Sequence, residues 1–191
     1  MRVLAVNGSP REKGNTHLML QRVCEHLAAA GMEIDEAHLH SLGMAPCAAC
    51  MVCFHTKDGH CHGEDDATNE LIDRTRQADI ILLGSPVYFG SLTGQIKAYM
   101  DRVGFVNRVG TPFLQRKIGA AVVPARRAGQ LFTFAELNMW FLISGMVVPG
   151  SSYWNVGAGR EEGEILNDHE AMKTLDDLAD NILWLASKMA G

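Results

Sequence analysis

No run in this chain reaches the roughly 18 consecutive apolar residues that a membrane helix requires, and its opening, "MRVLAVNGSP", lacks the apolar core and small-residue cleavage site of a signal peptide. Basic runs are missing too. Lysine and arginine number 17 against 22 aspartates and glutamates, a net charge of −5, which makes nucleic acid and anionic membrane surfaces poor partners. Nor is there an internal repeat, a low-complexity linker or a break in composition. Absent as well are a Ser/His/Asp triad, a catalytic carboxylate pair, a G-x-G-x-x-G fingerprint and the Gly-Lys-Ser/Thr that closes a P-loop. These absences leave a soluble globular protein, 47% apolar and 20% charged, with the cytoplasm as its expected compartment. Thiols stay reduced there.

What is present alternates strand and helix. Arg2–Val6, Glu33–Leu39, "DIILLGS" (79–85), "KIGAAVVPA" (117–125) and "MVVPGSSYW" (146–154) read as five strands. Helical spacing runs through 16–31, 65–78, 92–104, 131–145 and 168–190. This order implies a parallel sheet covered on both faces, one α/β domain over 1–191. Ligands of such sheets bind beyond the strand C-terminal ends, where strand order reverses, so the loops after strands one, three and four carry the information.

The first, "GSPREKGNT" (Gly8–Thr16), leads into a helix N-terminus, where free N–H groups and the dipole favour an anion. Ser9, Asn15 and Thr16 add neutral donors, and Arg11 adds a planar fork for phosphate oxygens. Gly14-Asn15-Thr16 lacks the lysine for a triphosphate, so a monophosphate fits best. The second loop, "GSPVYFGSLTGQIKAYMDR" (Gly84–Arg102), places Tyr88 and Phe89 at a polar tip. Exposed aromatics there cover something flat or join an interface, and backbone N–H groups of Phe89, Gly90 and Ser91 lie beside them.

These two motifs together resemble the NADPH-dependent FMN reductase family, of flavodoxin-like fold, over Met1 to about Tyr153. The resemblance implies a three-layer sandwich with strand order 2-1-3-4-5. It implies an FMN phosphate held by Ser9, Arg11, Asn15 and Thr16, and a flavin ring against Pro86, Val87, Tyr88, Phe89, Gly90 and Ser91. Pro124–Gln130 would be the third flavin loop, less glycine-rich than is usual in the family, with Arg126 and Arg127 within it. A homodimer or homotetramer is implied, and Trp140 and Phe141 in the apolar stretch "TFAELNMWFLISGM" are the expected contact residues.

Four of the five cysteines fall within "CAACMVCFHTKDGHC", in the loop segment 42–64. A reducing compartment disfavours disulfides. Three cysteines at successive x2 spacings crowd one side of a zinc tetrahedron, and a loop carrying Lys57, Asp58 and three histidines is a poor place for core packing. C-x2-C-x2-C does suit three corners of an iron–sulfur cubane, and Gly59 gives the chain room to bring Cys61 back as a fourth. Resemblance to the iron–sulfur flavoproteins within the family implies a [4Fe–4S] cluster on Cys47, Cys50, Cys53 and Cys61. An empty thiol set remains the alternative. His55, His60 and His62 read as solvated, and Cys24, Met139 and Met146 as packing.

The resulting expectation is an FMN-dependent oxidoreductase. Electrons would come from NAD(P)H or a ferredoxin-like protein donor and go to a small-molecule acceptor, with the flavin rather than a side chain carrying the chemistry. The rivals are a non-enzymatic electron carrier, a plain flavin reductase without a cluster, and a thiol-based sensor on the same fold.

Overall fold

The computed structural model describes Met1–Met189; the expected last residue of the final helix, Ala190, lies outside the described residues. Five parallel strands form one sheet in the order β2-β1-β3-β4-β5. They are β1 (Arg2–Asn7), β2 (Glu33–His38), β3 (Ile80–Gly84), β4 (Ile118–Ala125) and β5 (Val156–Ala158). Every residue of β3 and β4 is buried, as are five of six in β1, which is why these strands read as unbroken apolar runs.

Helices cover both faces. On one side α1 (Asn15–Ala29) and α7 (His169–Met189) enclose Val3, Ala5, Ile80, Leu82, Ala120 and Val122. On the other, α4 (Thr68–Gln77), α5 (Gly94–Val109) and α6 (Gln130–Ile143) pack over Leu4, Val6, Ile81, Leu83, Ala121 and Val123. The segment between β2 and α4, expected to be wholly loop, also holds two short helices, α2 (Leu39–Leu42) and α3 (Val52–Thr56).

Pro124 sits inside a central strand without cost to the ladder. β3 pairs with β4 only as far as Val122, and the Val123 N–H donates to Asn155 on the other side. The proline nitrogen therefore faces the side where pairing has already ended.

Three expectations fail. The fifth strand is Val156–Ala158, not 146–154: Val147 makes one isolated bridge to Ile118, after which Pro149 and Gly150 interrupt the run. Ser151 then folds back, its hydroxyl bonding Tyr153 O and Asn155 Oδ1, and Tyr153 and Trp154 stay exposed. Trp140 and Phe141 are likewise not on the surface. Thr133, Leu137, Trp140 and Phe141 form the buried stripe of α6. Trp140 Nε1 donates to Met100 O at 2.8 Å, and Phe141 lies so close to β4 that a Cβ on Gly119 would come within 2.6 Å of its ring. Leu131, Phe132, Met139, Leu142 and Ile143 are the exposed apolar residues of this helix, so Met139 is not core either.

Truncating Phe141 to Ala should therefore cost about 3–5 kcal/mol of stability. Ile143→Ser, on the exposed face, should change it by no more than about 0.5 kcal/mol. Denaturant unfolding of the two variants distinguishes these outcomes.

Candidate functional site

At the C-terminal edge of the sheet, where β1 and β3 lead their helices to opposite faces, the loops after β1, β3, β4 and β5 enclose a cavity of about 330 Å³. Ser9, Arg11, Gly14, Asn15 and Thr16 line it from the first loop, and Pro86, Val87 and Tyr88 from the second. Pro124, Ala125 and Arg126 close a third side. A larger, shallower depression of about 610 Å³ lies between α5 and α6, reaching Pro112 and Gln115 ahead of β4. It shares no residue with the loops at the strand C-terminal ends.

The β1 loop is built around its backbone. Asn7 Oδ1 accepts from Ser9 N at 2.9 Å, and Ser9 Oγ accepts from Arg11 N at 3.1 Å. Gly14 is the N-cap of α1, and no side chain caps the helix. The first-turn N–H groups thus open on the cavity without a protein acceptor from the cap, the arrangement that favours an anion. The Asn15 side chain is engaged elsewhere: its Nδ2 donates to Gly159 O (3.2 Å) and Glu161 O (2.9 Å), and its Oδ1 accepts from Gly163 N (3.0 Å). What Asn15 offers the cavity is main chain. Its side chain fixes a fourth wall, Gly159–Glu161, which the sequence reading missed. Arg160 beside the cavity was the available signal.

In the β3 loop, Tyr88 N donates to Ser91 O at 2.9 Å and Ser91 N to Tyr88 O at 3.1 Å. With φ of 51° at Phe89 and 82° at Gly90, this is a type I′ turn. Glycine suits the second corner; phenylalanine at the first is strained. Phe89 projects into solvent at 112% relative exposure, and Phe89, Gly90 and Ser91 stand outside the cavity lining. Ser91 has no free N–H, and its hydroxyl donates to the Glu136 carboxylate at 2.9 Å. The third loop approaches closely at Gly129, with φ of 95°, where a Cβ would lie 2.8 Å from Val87 Cγ1. Thr93, the N-cap of α5, joins the first two loops: its hydroxyl donates to Gly8 O (2.6 Å), and its N–H donates to Ser85 Oγ (3.1 Å).

Across β2, His38 connects this loop to the cysteine segment. Ser9 O can only accept, so His38 Nε2 donates to it (2.8 Å), while Nδ1 faces Ser41 Oγ at 2.8 Å. Cys47 and Cys50 are exposed, Cys61 is half-buried and Cys53 is buried; none is in a disulfide. Burial, and then the nearby thiols of Cys61, Cys50 and Cys47, push the Cys53 thiol up. Ala49, Met51 and Lys57 all have left-handed φ, of 51°, 61° and 52°, strain of the kind that collects at functional loops. Among the described residues, no three His, Cys, Asp or Glu side chains form a group that could hold a metal ion. His62 is paired with Asp58 at 2.8 Å, and His60 lies 3.9 Å from Asp73. Cys24 is core, its thiol pushed up to about 12, chiefly by burial.

Arg102, on α5, and Asp66 close this segment. Both Ala45 N (2.9 Å) and an Arg102 Nη1–H reach Asp66 Oδ2. Burial opposes ionisation of Asp66, but bonds from Thr68, Ala45 and Arg102 prevail and hold its carboxyl down at about 2. For Arg102, burial opposes the charge, and its bonds to Cys61 and Asp66 outweigh it.

A family model described as NADPH-dependent FMN reductase matches residues 1–161. The chain belongs to that family, and it is a flavin-dependent oxidoreductase. Among its relatives, an iron-sulfur flavoprotein of Methanocaldococcus jannaschii is 34% identical over 95% of this chain and 95% of its own length. Another, from Methanosarcina thermophila, is 32% identical over 80% of this chain and 78% of its own. Among solved structures, an NAD(P)H:quinone oxidoreductase from Methanothermobacter marburgensis superposes with a TM-score of 0.66 at 14% identity, covering 96% of this chain and 97% of that one; this likeness is one of fold.

Because Asp66 titrates near 2 in the folded chain against 3.8 in the unfolded one, its contribution is full above about pH 4 and fades as pH falls from there to about 2. Asp66→Asn should lower stability at neutral pH by about 2 kcal/mol and flatten the acid limb of the stability curve between those values. Denaturant titrations across pH 2–7, with the same variant as control, check both.

Proposed function

We propose that the chain passes electrons from NAD(P)H or a ferredoxin-like protein donor to a small-molecule acceptor, using FMN in the four-walled cavity and a [4Fe–4S] cluster on Cys47, Cys50, Cys53 and Cys61. The observation that carries the reading is the uncapped N-terminus of α1 opening, with Ser9 and Arg11, on a cavity walled by Pro86, Val87 and Tyr88. That set fits a phosphate at one end and a flat ring at the other. Bound FMN supplies hydride and single-electron chemistry.

The side chains bind and orient. First-turn N–H groups of Asn15 and Thr16, the Ser9 hydroxyl and the Arg11 guanidinium take the phosphate. Pro86 and Val87 give a dry, rigid face, and Tyr88 covers one edge. The free N–H groups of Phe89 and Gly90 are within the loop that would meet the ring's polar rim, whereas Ser91 serves the turn. Arg126 and Arg160 add positive charge at the mouth, partly offset by the Arg160–Glu161 pair.

Four reduced thiols on a segment with strained backbone, one of them facing a guanidinium, support the cluster. A cubane spreads its ligands over four irons, so the thiols need not converge as they would on one ion. Two relatives named as iron-sulfur flavoproteins, at 34% and 32% identity, also favour it. A cluster supplies a one-electron port beside the two-electron flavin.

Anaerobic purification followed by absorbance, iron and acid-labile sulfide assays should give about four irons per FMN; flavin with no iron would leave a plain flavin reductase. Steady-state oxidation of NADH or NADPH with a quinone or free flavin should be measurable, and its absence with intact reduction by ferredoxin would make the chain a carrier. Arg11→Ala should weaken FMN at least about tenfold by fluorescence titration, from loss of a charge-assisted bond of about 1.5–3 kcal/mol.

We also propose that the exposed apolar face of α6 (Leu131, Phe132, Met139, Leu142 and Ile143) is the contact of a homodimer or homotetramer. Phe132→Asp combined with Ile143→Asp should then reduce the sedimenting mass while leaving the far-ultraviolet circular dichroism of the folded chain unchanged at 25 °C.

A further inference from the structure

Among the described residues, Arg102 is the one charged residue in the buried set, and its side chain is 1% exposed. Burying a cation costs several kcal/mol unless partners replace water, so the partners of this one show what the fold needs there. Nη1 donates to Ala45 O at 3.1 Å and to the Asp66 carboxylate, and Nη2 donates to Glu64 O at 3.2 Å. The fork thereby grips both ends of the cysteine segment, residue 45 on one side and residues 64 and 66 on the other.

The remaining donor is different. Nε–H points at Cys61 Sγ, 3.3 Å away. A neutral thiol is a weak acceptor, and a poor match for a desolvated guanidinium; a sulfur carrying negative charge is a good one. Cys61 is also held through its backbone. Its N–H donates to Asn69 Oδ1 at 2.8 Å, and its carbonyl accepts from Asn69 Nδ2 at 2.9 Å. Gly63 runs directly beside both groups, its Cβ position lying in ordinary contact distance of Nη2 (3.5 Å) and Cys61 Sγ (3.7 Å). Thus a sulfur, its main chain and a buried cation are fixed relative to one another by α4 and α5, apart from the stretch that carries the exposed Cys47 and Cys50.

We propose that Arg102 is a positioning residue for the sulfur site: its Nε–H···S bond orients Cys61 and favours added negative charge on the group that Cys61 holds, raising that group's reduction potential. This rests on the cluster reading above. Hydrogen bonds to cluster sulfurs and nearby charge are the protein's main means of setting such potentials. Asp66 tempers the effect, because its carboxylate neutralises part of the same guanidinium.

The test compares wild type, Arg102→Gln, Arg102→Lys and Asp66→Asn, each purified anaerobically with iron and sulfide supplied. Measured for each are FMN affinity, iron per FMN, and the cluster midpoint potential from an electron-paramagnetic-resonance titration. Arg102→Gln should keep its FMN affinity, lose iron, and show a more negative potential in whatever cluster it retains. Lysine should recover part of the potential, having the charge without the fork. Asp66→Asn removes a negative charge and should shift the potential the other way, whereas simple loosening of the segment would move both variants alike.

An unchanged potential and iron content in Arg102→Gln would overturn the assignment, as would parallel shifts in Arg102→Gln and Asp66→Asn. If the glutamine variant fails to bind FMN, the lysine variant carries the comparison, and a wild-type potential there together with wild-type iron overturns the charge-and-fork account. Wild-type protein with full flavin and no iron overturns the cluster reading itself, a result separable from all the others.

Discussion

Burial of the sheet on both faces is the constraint from which the rest follows. With α1 and α7 on one side and α4, α5 and α6 on the other, the strands have no free face on which to build a site. Chemistry is confined to the edge where strands end, and there the backbone supplies what side chains do not. α1 begins without a capping side chain, so its N–H groups remain available. The loops meet around that point because Thr93 bonds Gly8 and Ser85 together, while Asn15 draws in the stretch after β5.

Much of this was legible in the sequence, and the misses have physical causes. Strands buried on both faces are continuous apolar runs, so β1, β3 and β4 declared themselves. β5 is an edge strand of three residues; pairing on one side only leaves too weak a pattern to separate it from the more apolar "MVVPG" upstream. The α6 error is of another kind. Its apolar residues surround the helix, and composition alone could not say which stripe faced β4; the packing of Phe141 on Gly119 decides it. At the site, residue types announced Ser9, Arg11 and the Pro86–Tyr88 wall. They could not announce that Asn15 is spent on Gly159, Glu161 and Gly163, or that Ser91 is spent on Tyr88 and Glu136. Those are long-range partnerships, invisible to local reading.

The β3 turn adds a connection from site to surface. Phe89 holds a left-handed backbone and is bare to solvent, a combination that neither packing nor propensity favours. Two bonds across the turn and the Glu136 carboxylate on Ser91 and Leu92 hold it in place. Glu136 lies on α6, the helix that also presents the exposed apolar face. The turn and that face are thus joined through one helix, with the Glu136 carboxylate as the link to Ser91 and Leu92.

α5 does something comparable inside the molecule. It starts at Thr93, which ties the β1 and β3 loops, and two turns later presents Arg102 to Cys61, eight residues from the first helical residue, or about 12 Å along the axis. Between these points the helix is mostly buried, with Ile96, Ala98, Tyr99 and Met100 against the sheet and α4. The Tyr99 hydroxyl is locked to Thr75 on α4 at 2.8 Å. A rod fixed at its start and along its length sets a constant separation between the cavity at the strand ends and the sulfur that Arg102 touches. The cysteine segment can then be locally strained, and half exposed, without disturbing the cavity. What the fold keeps rigid is the spacing between the cavity and the cysteine segment, because one helix anchors both.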